Sequence, residues 1–522
     1  MLSIILLHGL LALGILSARR FIGRYAFPVA AIGPLATIGW VIWRGPGIVD
    51  GTPHVERLEW VPGLDLSVDL LVDGYALLFV ALIGVVGAAI FFYSGAYFRP
   101  GPRVPLFAAS MVAFAGAMLG IVTSDHLLSV FIFWELTTIT SYLLVGYDDR
   151  SAKARNAALH AAMVTGAGGL AMLGGFVVLA DAGGSWLMSD LLASPPAGAG
   201  LGWALVLVGA ASKSAQFPLH GWLPGAMAAP TPASAFLHSA TMVKAGVFLV
   251  GRLSPAATAG TDWWWPVVFA IGVATMVVGG WQALRQTDLK LLLAYGTVSQ
   301  LGFLFLLAGS GIPSLAYGAV ALVLAHGLFK SSLFLAVGAI DSATGTRDIR
   351  HLDGVGRSLP WVFAATVAAA ASMAAVPATF GFVAKEAAFD GLVGEGTGLV
   401  AVVALASVLT VTYTGRFLLG AFGPATEEPT GVDPVGGWKV WVPVGLAGTG
   451  LVLGVVPGLV KPLVDAAAIA VSGIADGKLV VWPGLVPALG WSLGSLATGL
   501  ALVAAPRVVD AATAAVRAIT SR

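Results

Sequence analysis

The 522 residues contain no cysteine, which excludes a disulfide framework, thiolate-held iron–sulfur clusters and a c-type haem attachment. If the chain serves a redox machine, it is not the part that carries electrons. Charge is also scarce. Asp, Glu, Lys and Arg together make up 10% of the residues, too few to cover a water-soluble fold of this length. The net charge of +1 gives no general attraction to nucleic acid. No long polar catalytic loop, metal-ligand cluster or nucleotide motif stands out, so neither cofactor nor metal is expected. No basic stretch precedes the first apolar run; Arg19, Arg20 and Arg24 follow it instead. A cleaved signal peptide has the reverse order, so an uncleaved first span is expected.

What the chain has in plenty is apolar surface. Hydrophobic residues are 58% of the total, mean hydropathy is +0.92 and there are 68 glycines, a composition suited to transmembrane helices packed through small residues. A bilayer core needs about 20 apolar residues per helix. Such runs predict spans at 2–17, 26–43, 71–93, 104–122, 126–146, 155–180, 201–217, 232–252, 264–283, 289–309, 314–340, 361–392, 398–421, 438–458 and 485–505. The fold class is therefore an all-α polytopic membrane protein of about 14–15 transmembrane helices.

Loop charge gives an orientation. Connections after odd-numbered spans carry Arg19, Arg20, Arg24, Arg99, Arg103, Arg150, Lys153, Arg155, Arg285, Arg347, Arg350 and Arg357, against Arg44, Arg57 and Arg252 after even-numbered spans up to the twelfth. By the positive-inside bias the odd connections face the cytoplasm and the N-terminus lies outside. The acidic segment Gly45–Asp73 (Asp50, Glu56, Glu59, Asp65, Asp69, Asp73) suits an external loop. Two stretches break the helical pattern: PLHGWLP, with Pro218, His220 and Pro224, and VPATFG around Pro377. Interrupted spans in two halves of a transporter point to an internal repeat, with irregular backbone lining a wet cavity.

Ionisable side chains inside spans are costly and ask for a reason. Glu135 lies well inside the fifth span, Lys213 just before the first break, and His238 and Lys244 six residues apart in the eighth. Lys290 opens the tenth span, His326 and Lys330 share a helix face, and Lys385 with Glu386 follows the second break. Burial disfavours the charged form of a lysine, so such groups gain and lose protons where a surface lysine does not. A chain of His, Lys and water is a proton wire whose members titrate together. Blander readings stand beside this one. Lys290 is near enough to a span end to snorkel, Glu135 with a basic partner makes a static pair, and His220 satisfies loose carbonyls at its turn. Trp263, Trp264 and Trp265 read as an interfacial belt, and the glycines of TGAGGLAMLGG (165–175) as helix packing rather than a phosphate loop.

The run ASKSAQFPLHGWLPGAMAAPTPASAFLHSATMVKAGVFLVGR (211–252) resembles the antiporter-like membrane subunits of respiratory complex I and of Mrp-type cation/proton antiporters. So do HLLSVFIFWELTTITSYLLVGY (126–147), QTDLKLLLAYGTVSQLGF (286–303) and AHGLFKSSLFLAVGAI (325–340). The resemblance implies a fourteen-helix core with two inverted five-helix repeats, each with one broken helix. It divides the chain into 1–100 (N-terminal helices and external loop), 101–255 and 256–425 (the two repeats) and 426–522 (C-terminal helices). It also implies that Glu135 pairs with Lys213 and that a relay runs through Lys244, Lys290, His326 and Lys330 to an exit at Lys385. A lysine at that exit resembles the large distal membrane subunit of complex I and the A subunit of Mrp antiporters; TFGFVAKEAAFDGL (379–392) and HLDGVGRSLP (351–360) look more like the latter, and chains of both kinds continue beyond this length.

The expected function is a proton-translocating subunit of a multisubunit sodium/proton antiporter in the cell membrane, with other antiporter subunits, protons, Na+ and the bilayer as partners. The alternative is an antiporter-like subunit of a proton-pumping NADH–quinone oxidoreductase, and a non-transporting scaffold is a third reading.

Overall fold

The computed structural model describes residues 1–61 and 66–505. Asp65 of the expected external loop and the terminal stretch 506–522 lie outside the described residues. Helices carry nearly all of the rest, as backbone in hydrocarbon requires, because a helix satisfies its own N–H and C=O groups. The chain opens with α1 (Leu2–Ser17) and α2 (Ala26–Val49). An antiparallel hairpin follows, β1 (His54–Val61) with β2 (Leu66–Val72). The predicted third span began inside this hairpin. The helix, α3 (Gly74–Tyr97), starts later because Asp73 caps it, accepting from the Ala76 N–H at 3.0 Å.

The next five elements are α4 (Val104–Thr123), α5 (Leu127–Val145), α6 (Ala152–Gly183), α7 (Gly200–Lys213) and the span α8 (Thr231–Gly260). A second set follows as α9 (Trp264–Leu284), α10 (Leu289–Ala308), α11 (Pro313–Thr344), α12 (Pro360–Met373) with its continuation α13 (Phe380–Glu395), and α14 (Thr397–Phe422). Last come α15 (Trp438–Val455), α16 (Lys461–Ser472) and α17 (Pro487–Ala504). Among the described residues twelve helices are long and apolar enough to cross a membrane, and Leu2–Ser17, Gly200–Lys213 and Pro360–Met373 are shorter apolar ones. The chain is a multi-pass membrane protein, as the composition requires.

The two sets repeat one another. Val104 and Trp264 start 160 residues apart, Leu127 and Leu289 162, Ala152 and Pro313 161, Gly200 and Pro360 160. α6 and α11 both have 32 residues and end on a left-handed glycine, Gly184 and Gly345. Five crossings are an odd number, so the second copy enters from the opposite face and the repeats are inverted.

The helix breaks coincide as well. After α7 and after α12 the chain turns through an alanine of positive φ, Ala215 at 50° and Ala375 at 57°. The next amide folds back onto the helix, Gln216 N–H to the Ala211 carbonyl and Val376 N–H to the Ala371 carbonyl, each at 2.9 Å. Pro218, His220 and Pro377 lie in these turns. Pro224 does not, since it belongs to the short helix Trp222–Gly225 beyond the first turn.

α8 holds a third irregularity that the sequence did not announce: a π turn, Phe236–Ala240, after which helix restarts at Lys244. The tryptophan belt needs correcting too. Trp264 is buried, and its indole N–H donates to the Gly309 carbonyl at 2.8 Å, so it pins α9 to the end of α10. The glycines of α6 do pack helices. A Cβ on Gly175 would come within 2.7 Å of the Gly202 carbonyl oxygen, backbone against backbone.

Gly381 permits the closest approach at the second break, since a Cβ there would fall 1.8 Å from the Ser372 carbonyl oxygen. Gly381→Ala should therefore lower both the yield of folded protein and its thermal midpoint in detergent. Gly394→Ala, on the same helix with open space around it, should change neither; equal behaviour of the two variants would contradict this packing.

Candidate functional site

α8 and α11 are buried through their membrane-spanning stretches, and both carry ionisable residues. Helices on either side supply the others. Lys213, His238, Lys244, His326 and Lys330 are all fully buried, with Lys290 and Lys385 close behind. Glu135 is half-buried on α5.

Glu135 and Lys213 do not meet directly. Lys213 lies at the last turn of α7 and donates from Nζ to the Trp134 carbonyl at 3.0 Å and to Thr138 Oγ1 at 2.8 Å. Thr138 lies one helical turn after Glu135, and its hydroxyl donates to the Trp134 carbonyl at 3.3 Å. Thr138 thus ties Lys213 to the helix that carries the acid. Gly169 of α6 leaves the room that Glu135 fills, since a Cβ there would fall 2.1 Å from Oε1.

Lys244 restarts the helix after the π turn, and its ammonium bonds the Ser239 carbonyl inside that turn. Gly327 lets α11 approach, with its would-be Cβ 3.2 Å from Lys244 Nζ, and so brings the neighbouring His326 beside Lys244. His238 sits in the same π turn, between the rings of Trp222 at 6.2 Å and Phe334 at 6.5 Å. Neither of its ring nitrogens has a hydrogen-bond partner among the described residues.

Lys290 does not snorkel. It is 1% exposed and donates to the Met227 carbonyl at 3.0 Å and to that of Ala229, both in the unwound chain beyond the first break. Nearby, Asp288 caps α10 and pairs with Arg347 at 3.3 Å. Lys330 donates to the Leu293 carbonyl at 3.3 Å, with its Nζ 5.9 Å from the Tyr413 ring centre. Lys385 donates to Ser495 Oγ of α17 at 3.1 Å and lies 4.9 Å from the centre of the Phe389 ring. Its neighbour Glu386 accepts from Ser492 Oγ at 2.6 Å.

The structure therefore buries every predicted relay lysine and histidine and leaves Glu135 half-buried. Groups that sequence reasoning passed over are the neutral ones between them: Thr138, the Ser239 carbonyl, Gln300, Tyr413, Ser492 and Ser495. Their signal was weak, because Ser and Thr are common in membrane helices, where they bond back to their own backbone. Sequence reasoning also left out a buried ion pair, Arg252 with Asp73, bidentate with one arm at 2.8 Å.

A membrane bundle of inverted five-helix repeats, each with a broken helix and a central file of lysines, is a transporter-like architecture. Residues 124–410, more than half of the chain, match the family described as NADH:quinone oxidoreductase/Mrp antiporter, TM, and the chain belongs to that family. It is 40% identical over 488 residues to a probable K(+)/H(+) antiporter component of type A/B from Rhizobium meliloti, covering 90% of this chain and 49% of that protein. It is 36% identical over 511 residues to the A-type component of the Na(+)/H(+) antiporter of Alkalihalophilus pseudofirmus, covering 87% and 61%. Among solved structures it superposes on a chain of the Mrp complex from Dietzia sp. DQ12-45-1b with a TM-score of 0.85 and 32% identity, covering 99% of this chain and 59% of that one. The chain thus spans about half to three-fifths of the length of these relatives.

Lys290→Met keeps the apolar stem and leaves two carbonyls in the unwound segment without their donor, at a cost of about 1–3 kcal/mol. The thermal midpoint of the purified protein should fall accordingly. Lys153→Met, on an exposed turn of α6, should move stability by no more than about 0.5 kcal/mol.

Proposed function

We propose that this chain is the antiporter-like part of an A-type component in a multisubunit monovalent cation/proton antiporter of the cell membrane, and that protons cross it along Glu135, Lys213, Lys244, Lys290, His326, Lys330 and Lys385, with His238 beside the file. The observation that carries the reading is that these groups are gathered inside helices of both repeats, with Lys244 on α8 and His326 and Lys330 on α11, the two most buried spans. Isolated ionisable residues in a bundle can be structural, but a file that runs through both repeats has a transport use. His238 stands beside the file, fully buried in the π turn whose Ser239 carbonyl holds Lys244.

The file accounts for the proton and not for the cation. The relatives' names include both K(+) and Na(+), so partner subunits are the proposed place of cation selection. Membership of a family that also names NADH:quinone oxidoreductase keeps a redox-driven pump as the second reading.

The orientation places the N-terminus and the hairpin outside. With no native cysteine, single-cysteine labelling tests this cleanly. Thr52→Cys, at the exposed approach to the hairpin, should react with an impermeant maleimide on intact cells. Ser151→Cys should react only in everted vesicles; the opposite pattern would reverse the topology.

Function is tested by cation-dependent proton movement in everted vesicles, with the chain expressed together with its neighbouring genes and both Na+ and K+ supplied. Lys213→Ala should reduce the signal to that of empty vesicles. Thr138→Val should slow it about tenfold, and Thr138→Ser should largely keep it. Normal transport by Lys213→Ala would sink the relay, and proton movement only during oxidation of an electron donor would establish the redox reading.

A further inference from the structure

Between Lys330 and Lys385 the second repeat holds a cluster of uncharged polar side chains that the file of ionisable groups does not include. Gln300 of α10 donates from Nε2 to Thr410 Oγ1 at 3.2 Å and to Tyr413 Oη at 3.4 Å, both on α14. Tyr413 Oη in turn donates to the Gly296 carbonyl at 3.2 Å. Gly296 is the residue whose missing side chain admits Lys330, since a Cβ there would lie 3.2 Å from Nζ and 2.9 Å from the Tyr413 ring. On the other side, Gln300, Thr410, Ser407, Ser372 and Lys385 line one small cavity, with about 10 Å³ in which a water centre fits. That is room for about one water, and the polar lining can bind it.

Packing alone does not account for this cluster. Polar side chains from several helices in a hydrocarbon interior each cost free energy unless paired, and apolar residues would fill the same space more cheaply. The repeat offers a second argument. Aligned from their caps, His126 and Asp288, α5 and α10 place Gln300 where the first repeat has Thr138. Aligned likewise, α7 and α12 place Met373 where the first repeat has Lys213. Met373 also lines the cavity. The seat of the Lys213 ammonium in the first repeat thus corresponds to a cavity in the second, reached by Lys385 from beyond the break.

We propose that Gln300, with Thr410 and Tyr413, forms a water seat through which a proton passes between Lys330 and Lys385, an inference that rests on the relay reading above. Lys330 does not itself line the cavity; when its side chain swings past Tyr413 to the seat, an N–H bond of its ammonium breaks and the proton goes to the water oxygen. That water gives one of its own protons to the Lys385 amine, so one ammonium is exchanged for another and the water is regenerated. Gln300 and Thr410 are positioning residues that hold the water in line and do not change protonation state. Tyr413 orients Gln300 and closes the Lys330 side.

The test uses the assembled complex in everted vesicles. Gln300→Leu and Thr410→Val should each lower the initial rate of cation-driven proton movement at least tenfold at unchanged complex abundance. The cation concentration for half-maximal rate should stay the same, and the ratio of rates in H2O and D2O should rise. Thr410→Ser, which restores the hydroxyl, should recover at least half the wild-type rate. Rates and isotope ratios within twofold of wild type in Gln300→Leu and Thr410→Val, with Lys385→Ala inactive, would overturn the seat and leave the relay standing. Normal transport by both Lys213→Ala and Lys385→Ala would overturn the relay and the seat with it. Should Gln300→Leu fail to reach the membrane, Tyr413→Phe keeps the ring and carries the same outcomes.

Discussion

In this protein the buried lysines are held by carbonyl and hydroxyl oxygens rather than by carboxylates. Lys213 bonds the Trp134 carbonyl and Thr138, Lys244 the Ser239 carbonyl, Lys290 the carbonyls of Met227 and Ala229, Lys330 that of Leu293, and Lys385 Ser495. A carboxylate at ion-pair distance would fix each ammonium in its charged form. A neutral oxygen solvates the ammonium yet forfeits less when the proton leaves. Under the proposed relay, such a file would be stable enough to fold and open enough to conduct. The breaks follow from the same constraint, because a regular helix has few carbonyl lone pairs to spare. The π turn frees the Ser239 carbonyl for Lys244, and the unwound chain after α7 frees those of Met227 and Ala229 for Lys290. Where the helix stays regular, as at Trp134 and Leu293, the lysine shares its carbonyl with a threonine hydroxyl from the next turn.

Much of this was legible in the sequence. Composition settled the membrane, proline settled the two large breaks, and charged letters within apolar runs named the file from Glu135 to Lys385. These signals work because hydrocarbon is unforgiving, and a charge or a proline inside a span is rarely accidental. The π turn was not legible. FLHSA contains neither proline nor glycine, and what accompanies its unwinding is local: Thr241 adopts an irregular backbone and Lys244 takes the carbonyl of Ser239, five residues back. The hairpin was partly masked by its apolar second strand, which reads as the start of a helix until Asp73 is recognised as a cap. The short helix α16 is interrupted and polar at its start, too brief to register as a span, yet it packs under α3 and α11.

The site was less legible than the fold for a related reason. Periodicity and hydropathy find charges, but the distances between charges are set by residues that look ordinary. Nothing in WELTT marks Thr138 as the hydroxyl that receives the Lys213 ammonium. Its role exists only once α7 brings Lys213 to within 2.8 Å. Glycines are similarly mute. Gly169, Gly296 and Gly327 read as generic packing residues, yet each clears the space that one ionisable side chain occupies.

Those glycines also explain how two copies of one fold came to carry different chemistry. From the shared caps and lengths of α6 and α11, Lys330 in the second repeat stands where the first has Gly169. From the caps of α5 and α10, Thr297 stands where the first has Glu135. In one copy the charge comes from the fifth-span helix and its neighbour gives way. In the other the charge comes from the neighbour, and Gly296 on the facing helix gives way. The gap between the helices is filled once in each case, so neither repeat must seat two charged side chains in the same volume. An acid in the first gap and a base in the second leaves the two repeats unlike in the charge that each buries.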